Sequence, residues 1–145
     1  MPSDAYDEFL DRYARSSDGA GTWTTDDLRL MLFSALTFDA TDVSISDVKT
    51  SGSTEATATN YSPQALDNQT VSESAGTVTF DCDDETFSGI GGATNNTIVG
   101  AVLYLHVDGT DANDVALIHV DFPDTATNGG DFTVAFHASG IVTIS

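Results

Sequence analysis

The sequence predicts an all-β protein: an antiparallel β-sandwich, of jelly-roll or immunoglobulin-like type, with a short N-terminal α-helix. Three observations carry this. From residue 28 onward apolar residues alternate with polar ones at a period of two, the signature of a strand with one face buried. The runs are separated by Gly, Asn, Asp and Pro clusters such as DGTDAND (108–114) and NGG (128–130), which are turn chemistry. No helical pattern falls between strands, so a parallel α/β sheet is excluded, and roughly six to nine short strands remain to be arranged antiparallel.

The elements follow in order. In residues 3–15, Tyr6, Phe9, Leu10 and Tyr13 fall at i, i+3, i+4 and i+7, one face of a helix. Ser3 suits the N-cap, Asp4, Asp7 and Glu8 the positive end, and Arg12 and Arg15 the negative end. SSDGAG (16–21) ends the helix. The chain therefore divides into a segment of residues 1–21, helix plus flexible joint, and a sandwich domain of residues 22–145. A helix this short needs a surface for its aromatic face. That surface is either a neighbouring subunit, making Tyr6, Phe9, Leu10 and Tyr13 the anchors of an assembly arm, or its own sandwich.

Leu28, Leu30 and Leu32 alternate with Arg29, Met31 and Phe33, which predicts a strand buried mainly on one face. The stretch 34–77 is rich in Thr, Ser, Asp and Ala and predicts surface loop and edge structure, with short strands near 43–48, 55–60 and 69–73. Val78, Phe80 and Cys82 alternate again, so Cys82 is expected to be a small core residue. IVGAVLYLHV (98–107) is apolar on both faces and predicts a central strand. VALIHVDF (115–122) follows, with Pro123 expected to end it. GIGG (89–92) reads as a turn, and FTVAF (132–136), an HASG turn and IVTI (141–144) close the chain.

The charge balance is extreme. The chain has 23 acidic against 4 basic residues, a formal net charge of −19, with 19 Asp, 20 Thr and a single lysine, Lys49. Disorder is excluded, because 40% of residues are hydrophobic and strongly patterned. Multimolar salt, which shortens the Debye length to about 3 Å at 1 M, removes the self-repulsion. Short carboxylates with almost no lysine therefore predict a protein adapted to molar salt. Nucleic acid and anionic membrane surfaces, which need clustered Lys and Arg, are excluded as partners. No apolar run approaches the roughly 20 residues of a membrane span, and MPSDAYDEF carries no signal-peptide pattern.

Residues that could carry chemistry are few. His106, His119 and His137 show no zinc-binding spacing and are expected to be strand residues. Asp108, Asp111 and Asp114 are candidate calcium ligands in an oxygen-rich loop, without the glycine and final glutamate of an EF-hand. Otherwise the expected cofactors are none, beyond cations such as calcium, potassium or sodium. Asn60, Asn68 and Asn95 open N-glycosylation sequons, and Pro63 after the first leaves Asn68 and Asn95 as the candidates. No P-loop, GxGxxG or GxSxG occurs. Trp23, Tyr61 and Phe87 are the aromatics outside the core pattern, and their spacing does not suggest a sugar-binding platform.

Four segments together resemble the small β-sandwich virion structural proteins of tailed phages. They are TWTTDDLRLMLFSA (22–35), VTFDCDDETFSGIGG (78–92), AVLYLHVDGTDANDVALIHVDF (101–122) and NGGDFTVAFHASGIVTI (128–144). The N-terminal helix is longer than usual for that family, and His106 stands where the family more often has lysine, a loss in keeping with salt adaptation. Residues 36–75 match poorly. The resemblance implies a non-enzymatic structural protein of the virion surface, assembled in the host cytoplasm. A capsid decoration or cement protein of a haloarchaeal tailed virus is the first expectation. Its partners would be itself, as a homotrimer, and the major capsid protein or other virion proteins. The alternatives are a minor tail, neck or baseplate component and, from another class, a carbohydrate-binding or adhesive β-sandwich module.

Overall fold

A computed structural model describes residues 3–14 and 22–145, and the joint expected at 16–21 lies outside the described residues. The fold is a sandwich-like stack of antiparallel sheets with few, short helices. Its centre is three long strands: β2 (Leu28–Ala35), β8 (Thr97–Leu105) and β9 (Val115–Ala126). These are the segments in which both odd and even positions are apolar, so they can be covered on both faces. β1 (Ser3–Ala5) extends the sheet beyond β9, and β3 (Thr54–Glu55) and β4 (Gln64–Ala65) pair with β2 on the other side.

One face of this sheet presents Leu28, Leu30, Leu32, Ala101, Leu103, Ile118 and Val120 to a second layer. That layer is made of two small sheets. One pairs β5 (Thr70–Ser74), β6 (Thr77–Asp81) and β11 (Val142–Ile144); the other pairs β7 (Glu85–Phe87) and β10 (Phe132–Val134). Phe80, Phe87, Ile90, Phe132, Val134 and Ile141 supply its side of the core. The other face presents Met31, Phe33, Val102, Tyr104 and Ala116 to the helix α2 (Ile45–Thr50) through Ile45 and Val48. β2 is thus buried on both faces, not mainly on one, because Met31 and Phe33 are apolar enough to hold a helix.

Two irregularities shape β9. Leu103 pairs with Ile118 but Tyr104 pairs with Ala116, so Leu117 is an extra residue in a bulge. The bulge lets Leu117 and Ile118 both enter the same core, and the run Val115–Ile118 is buried throughout. A second shift lies between Ile98↔Thr125 and Gly100↔Asp121, and it accommodates Pro123. Pro123 therefore does not end the strand; it sits where the ladder is already interrupted and no N–H is demanded. Gly100 is required beside it, since a Cβ there would meet the Val120 carbonyl and Leu36 Cδ2, each at 2.8 Å.

Two further expectations are corrected. Residues 45–50 form a helix, not a strand. Ser44 Oγ accepts the Asp47 N–H and Asp47 Oδ2 accepts the Ser44 N–H, a reciprocal cap that outweighs the Val-Ser-Ile alternation. The N-terminal segment is not one amphipathic helix. Ser3 lies in β1, opposite Val120, and the chain then turns through α1 (Asp7–Phe9) and a π-helical turn (Leu10–Ala14). Strand pairing with β9 satisfies the backbone of residues 3–5 that a lone helical turn would leave to water.

Candidate functional site

A grouping of ionisable and aromatic side chains lies on the helix-covered face of the central sheet, beyond the end of α2. Arg29 and Tyr104 are cross-strand neighbours on β2 and β8, and His106 follows two positions on. The loop 106–114 closes one side and Glu55, Ser62 and Pro63 the other, around an open cleft of about 460 Å³.

Asp114 organises the loop. It is buried at 3% exposure, and its Oδ1 accepts the N–H of Val107 at 2.8 Å while Oδ2 stands 3.3 Å from His106 Nδ1. The ring of His106 meets that of Tyr104 edge-on at 6.4 Å, and burial, helped by the Asp114 charge, pushes the Tyr104 phenol up to about 12. Lys49 reaches from α2 to Glu55 at 2.7 Å and Asp111 at 2.6 Å, tying helix, β3 and loop together. Arg29 makes two contacts with Asp27, at 3.0 and 2.9 Å, and this pairing holds the Asp27 carboxyl below its ordinary value. The lone lysine and Arg29 are thus each paired with carboxylates around one cleft.

The candidate calcium ligands are engaged in the same framework. Asp108 accepts from the Thr110 N–H at 2.9 Å and from Asn113 Nδ2 at 2.7 Å; Asp111 holds Lys49; Asp114 clamps the Val107 backbone. Among the described residues no group of three His, Cys, Asp or Glu side chains is arranged to hold a metal ion.

The histidines stand apart. His119, on β9, packs against Phe38 with ring centroids 5.3 Å apart; its Nδ1 is 3.9 Å from Asp4, and burial lowers its pKa. His137 lies in an exposed turn, its Nδ1 accepting from the Ser139 N–H at 3.1 Å. Cys82 is half-buried rather than a full core residue, with its thiol pushed up to about 12 by burial and then by surrounding carboxylates.

The four proposed anchors do not share a face. Tyr6 is wholly buried against Phe38 and the helix-side core, whereas Phe9 is wholly buried in the inter-sheet core with Trp23 and Phe80, and Leu10 and Tyr13 pack beside it. The segment wraps the β9 edge, placing Tyr6 on one side and Phe9 and Tyr13 on the other. Of the two surfaces open to this segment, the one observed is its own sandwich. Trp23 and Phe87 are also buried, and the half-buried Tyr61 hydroxyl accepts the Leu32 N–H at 2.8 Å and donates to the Leu32 carbonyl at 3.5 Å, so these rings present no exposed platform.

All three sequon asparagines are exposed. Asn68 Nδ2 donates to Asp83 at 2.6 Å, Asn60 Nδ2 to the Gly89 carbonyl at 3.2 Å, and Asn95 Oδ1 accepts the Gly92 N–H at 2.7 Å.

No family model matches this chain, and neither a curated protein nor a solved structure was found that matches it.

Proposed function

We propose that this chain is a non-enzymatic structural protein of a virus particle, a capsid decoration protein of a haloarchaeal tailed virus that acts by self-assembly and by docking on the major capsid protein. The observation that carries the proposal is the distribution of charge over the fold. β2 and β8 hold no acid at all, and many of the acids lie in loops such as 106–114 and 82–84. Both strands are covered on their two faces, so a chain of −19 arranged in this way keeps charge out of the packed interior and on a hydrated acidic loop surface suited to concentrated salt. The hydroxyl face of β5 and β6 (Thr70, Ser72, Ser74, Thr77 and Thr79) is sheet surface without charge, apart from Asp81 at its end, for protein contacts. The sequence resemblance to small tailed-phage virion proteins points the same way. The sandwich type that goes with this role is jelly-roll or immunoglobulin-like, and the assembly expected on the particle is a homotrimer.

Quantitative mass spectrometry of purified virions in high salt tests the proposal. A copy number comparable with that of the major capsid protein is the expected result. A few to a few tens of copies would place the protein in the tail, neck or baseplate, and absence from particles would overturn the virion assignment.

A further inference from the structure

We propose that a bare sodium ion binds beneath α2, held between the carboxylate of Asp42 and the hydroxyl of Tyr6.

Both side chains are buried, Tyr6 at 0% and Asp42 at 7% exposure, and each brings an oxygen without a hydrogen-bond partner, Tyr6 Oη and Asp42 Oδ2. Leaving two such atoms unmet is costly, and folded proteins seldom do so. Their surroundings bring them together. Tyr6 packs in the helix-side core with Ile45 and Val48 of α2. Asp42 Oδ1 accepts from the hydroxyl of Ser51, at the C-terminal end of the same helix, at 2.8 Å, which leaves Oδ2 over. Burial, and then the charges of Asp42 and Asp39, raise the Tyr6 phenol above its ordinary value, so its oxygen stands within the field of these carboxylates. The two exposed acids nearby are already engaged: Asp39 Oδ1 accepts from the N–H and hydroxyl of Thr41, and Asp47 Oδ2 from the N–H and hydroxyl of Ser44.

Size and charge select the occupant. A proton on Asp42 would leave both atoms unmet, because no hydrogen bond joins Oδ2 to Tyr6 Oη. A water molecule is too large, since neither oxygen has surface open to a sphere of that size. A bare sodium ion is smaller than water, whereas potassium is about as large. Sodium also supplies the charge that Asp42 lacks. Of the basic side chains described, Arg12 pairs with Glu8, Arg29 with Asp27, and Lys49 with Glu55 and Asp111. Burial, with the charges of Asp39 and Asp47, holds the Asp42 carboxyl above its ordinary value against the Ser51 bond. A buried carboxylate in such a field needs an opposite charge beside it. One carboxylate and one neutral hydroxyl suit a singly charged ion. Calcium takes six to eight oxygens, usually from several carboxylates, and among the described residues no three His, Cys, Asp or Glu side chains are so grouped.

The test is the thermal midpoint of the full chain in multimolar NaCl, KCl and tetramethylammonium chloride at one ionic strength, so that screening is the same in all three. The midpoint in NaCl should stand roughly 4 °C above the other two, the shift for a domain of this length when sodium is at about ten times its dissociation constant. Asp42→Asn and Tyr6→Phe, which each keep the shape of the side chain, should abolish that gap. If Asp42→Asn does not fold, Tyr6→Phe alone decides. A midpoint that follows ionic strength but not the identity of the cation would overturn the site and leave the adaptation to molar salt standing. A gap that survives in either variant would also overturn it, because the sodium effect would then arise elsewhere.

Discussion

The central sheet and the three-stranded sheet of β5, β6 and β11 are built from the same kind of alternating strand, yet they are used differently. In β2 and β8 both parities are apolar, and the sheet is covered on one face by strands and on the other by α2. In β5 and β6 one parity is Thr and Ser, so only the face with Val78 and Phe80 is packed and the other stays open. What separates a buried interior strand from an exposed edge is the chemistry of the second face, not the presence of a period.

The largest way to break the comparison is to remove salt, which acts on the whole charge of −19. Lowering ionic strength from molar to 0.1 M lengthens the Debye length from about 3 to about 10 Å. The thermal midpoint should fall steeply across that range, and an unchanged midpoint by calorimetry would contradict salt adaptation. Next in size is Phe33→Ala, which empties a wholly buried position under α2 and should cost about 3–5 kcal/mol in denaturant unfolding. Ser44→Ala removes one half of the α2 capping box, for a loss of about 1 kcal/mol. A loss that small, set against that of Phe33→Ala, would show that packing rather than the cap holds the helix on the sheet.

His119 sharpens the contrast through pH. Burial beside Phe38 holds its pKa below the ordinary 6.5, with the carboxylates of Asp4 and Asp121 acting in opposition. The folded state therefore takes up this proton later than the unfolded chain does. The stability is fully present above pH 6.5 and is lost as pH falls through the lowered value. His119→Gln should flatten that part of the stability profile, and an unaltered slope would remove the assignment. The smallest effect is expected on the open sheet. Val71→Ser should change monomer stability by less than about 0.5 kcal/mol, because the side chain is largely in water already.

Much of the architecture was legible in the residues. The all-β class, the central position of 98–107, the turns at 89–92 and 128–130, and the pairing of 115–122 with its neighbour follow from period and turn chemistry, which are local properties. The α2 helix was missed although its signal was present: Ser44 and Asp47 stand three apart, but Asp in place of Glu and the flanking Val43 and Ile45 imitated a strand. Pro123 was misjudged because whether a proline ends a strand depends on the partner's register, and no single segment contains that.

By itself the sequence determined what each segment could become: which runs could be strands, where the chain must turn, and that a folded core had to coexist with a large negative charge. Tertiary structure alone decided how those segments were used. It sent Tyr6 and Phe9 to opposite sides of one sheet edge, turned Asp108, Asp111 and Asp114 into loop clamps and an ion pair, and left β5 paired, among the described residues, on the β6 side alone. The reason is that periodicity and turn preference act within a few residues, whereas burial of a face, satisfaction of a carboxylate and pairing of an edge depend on groups far away in the chain.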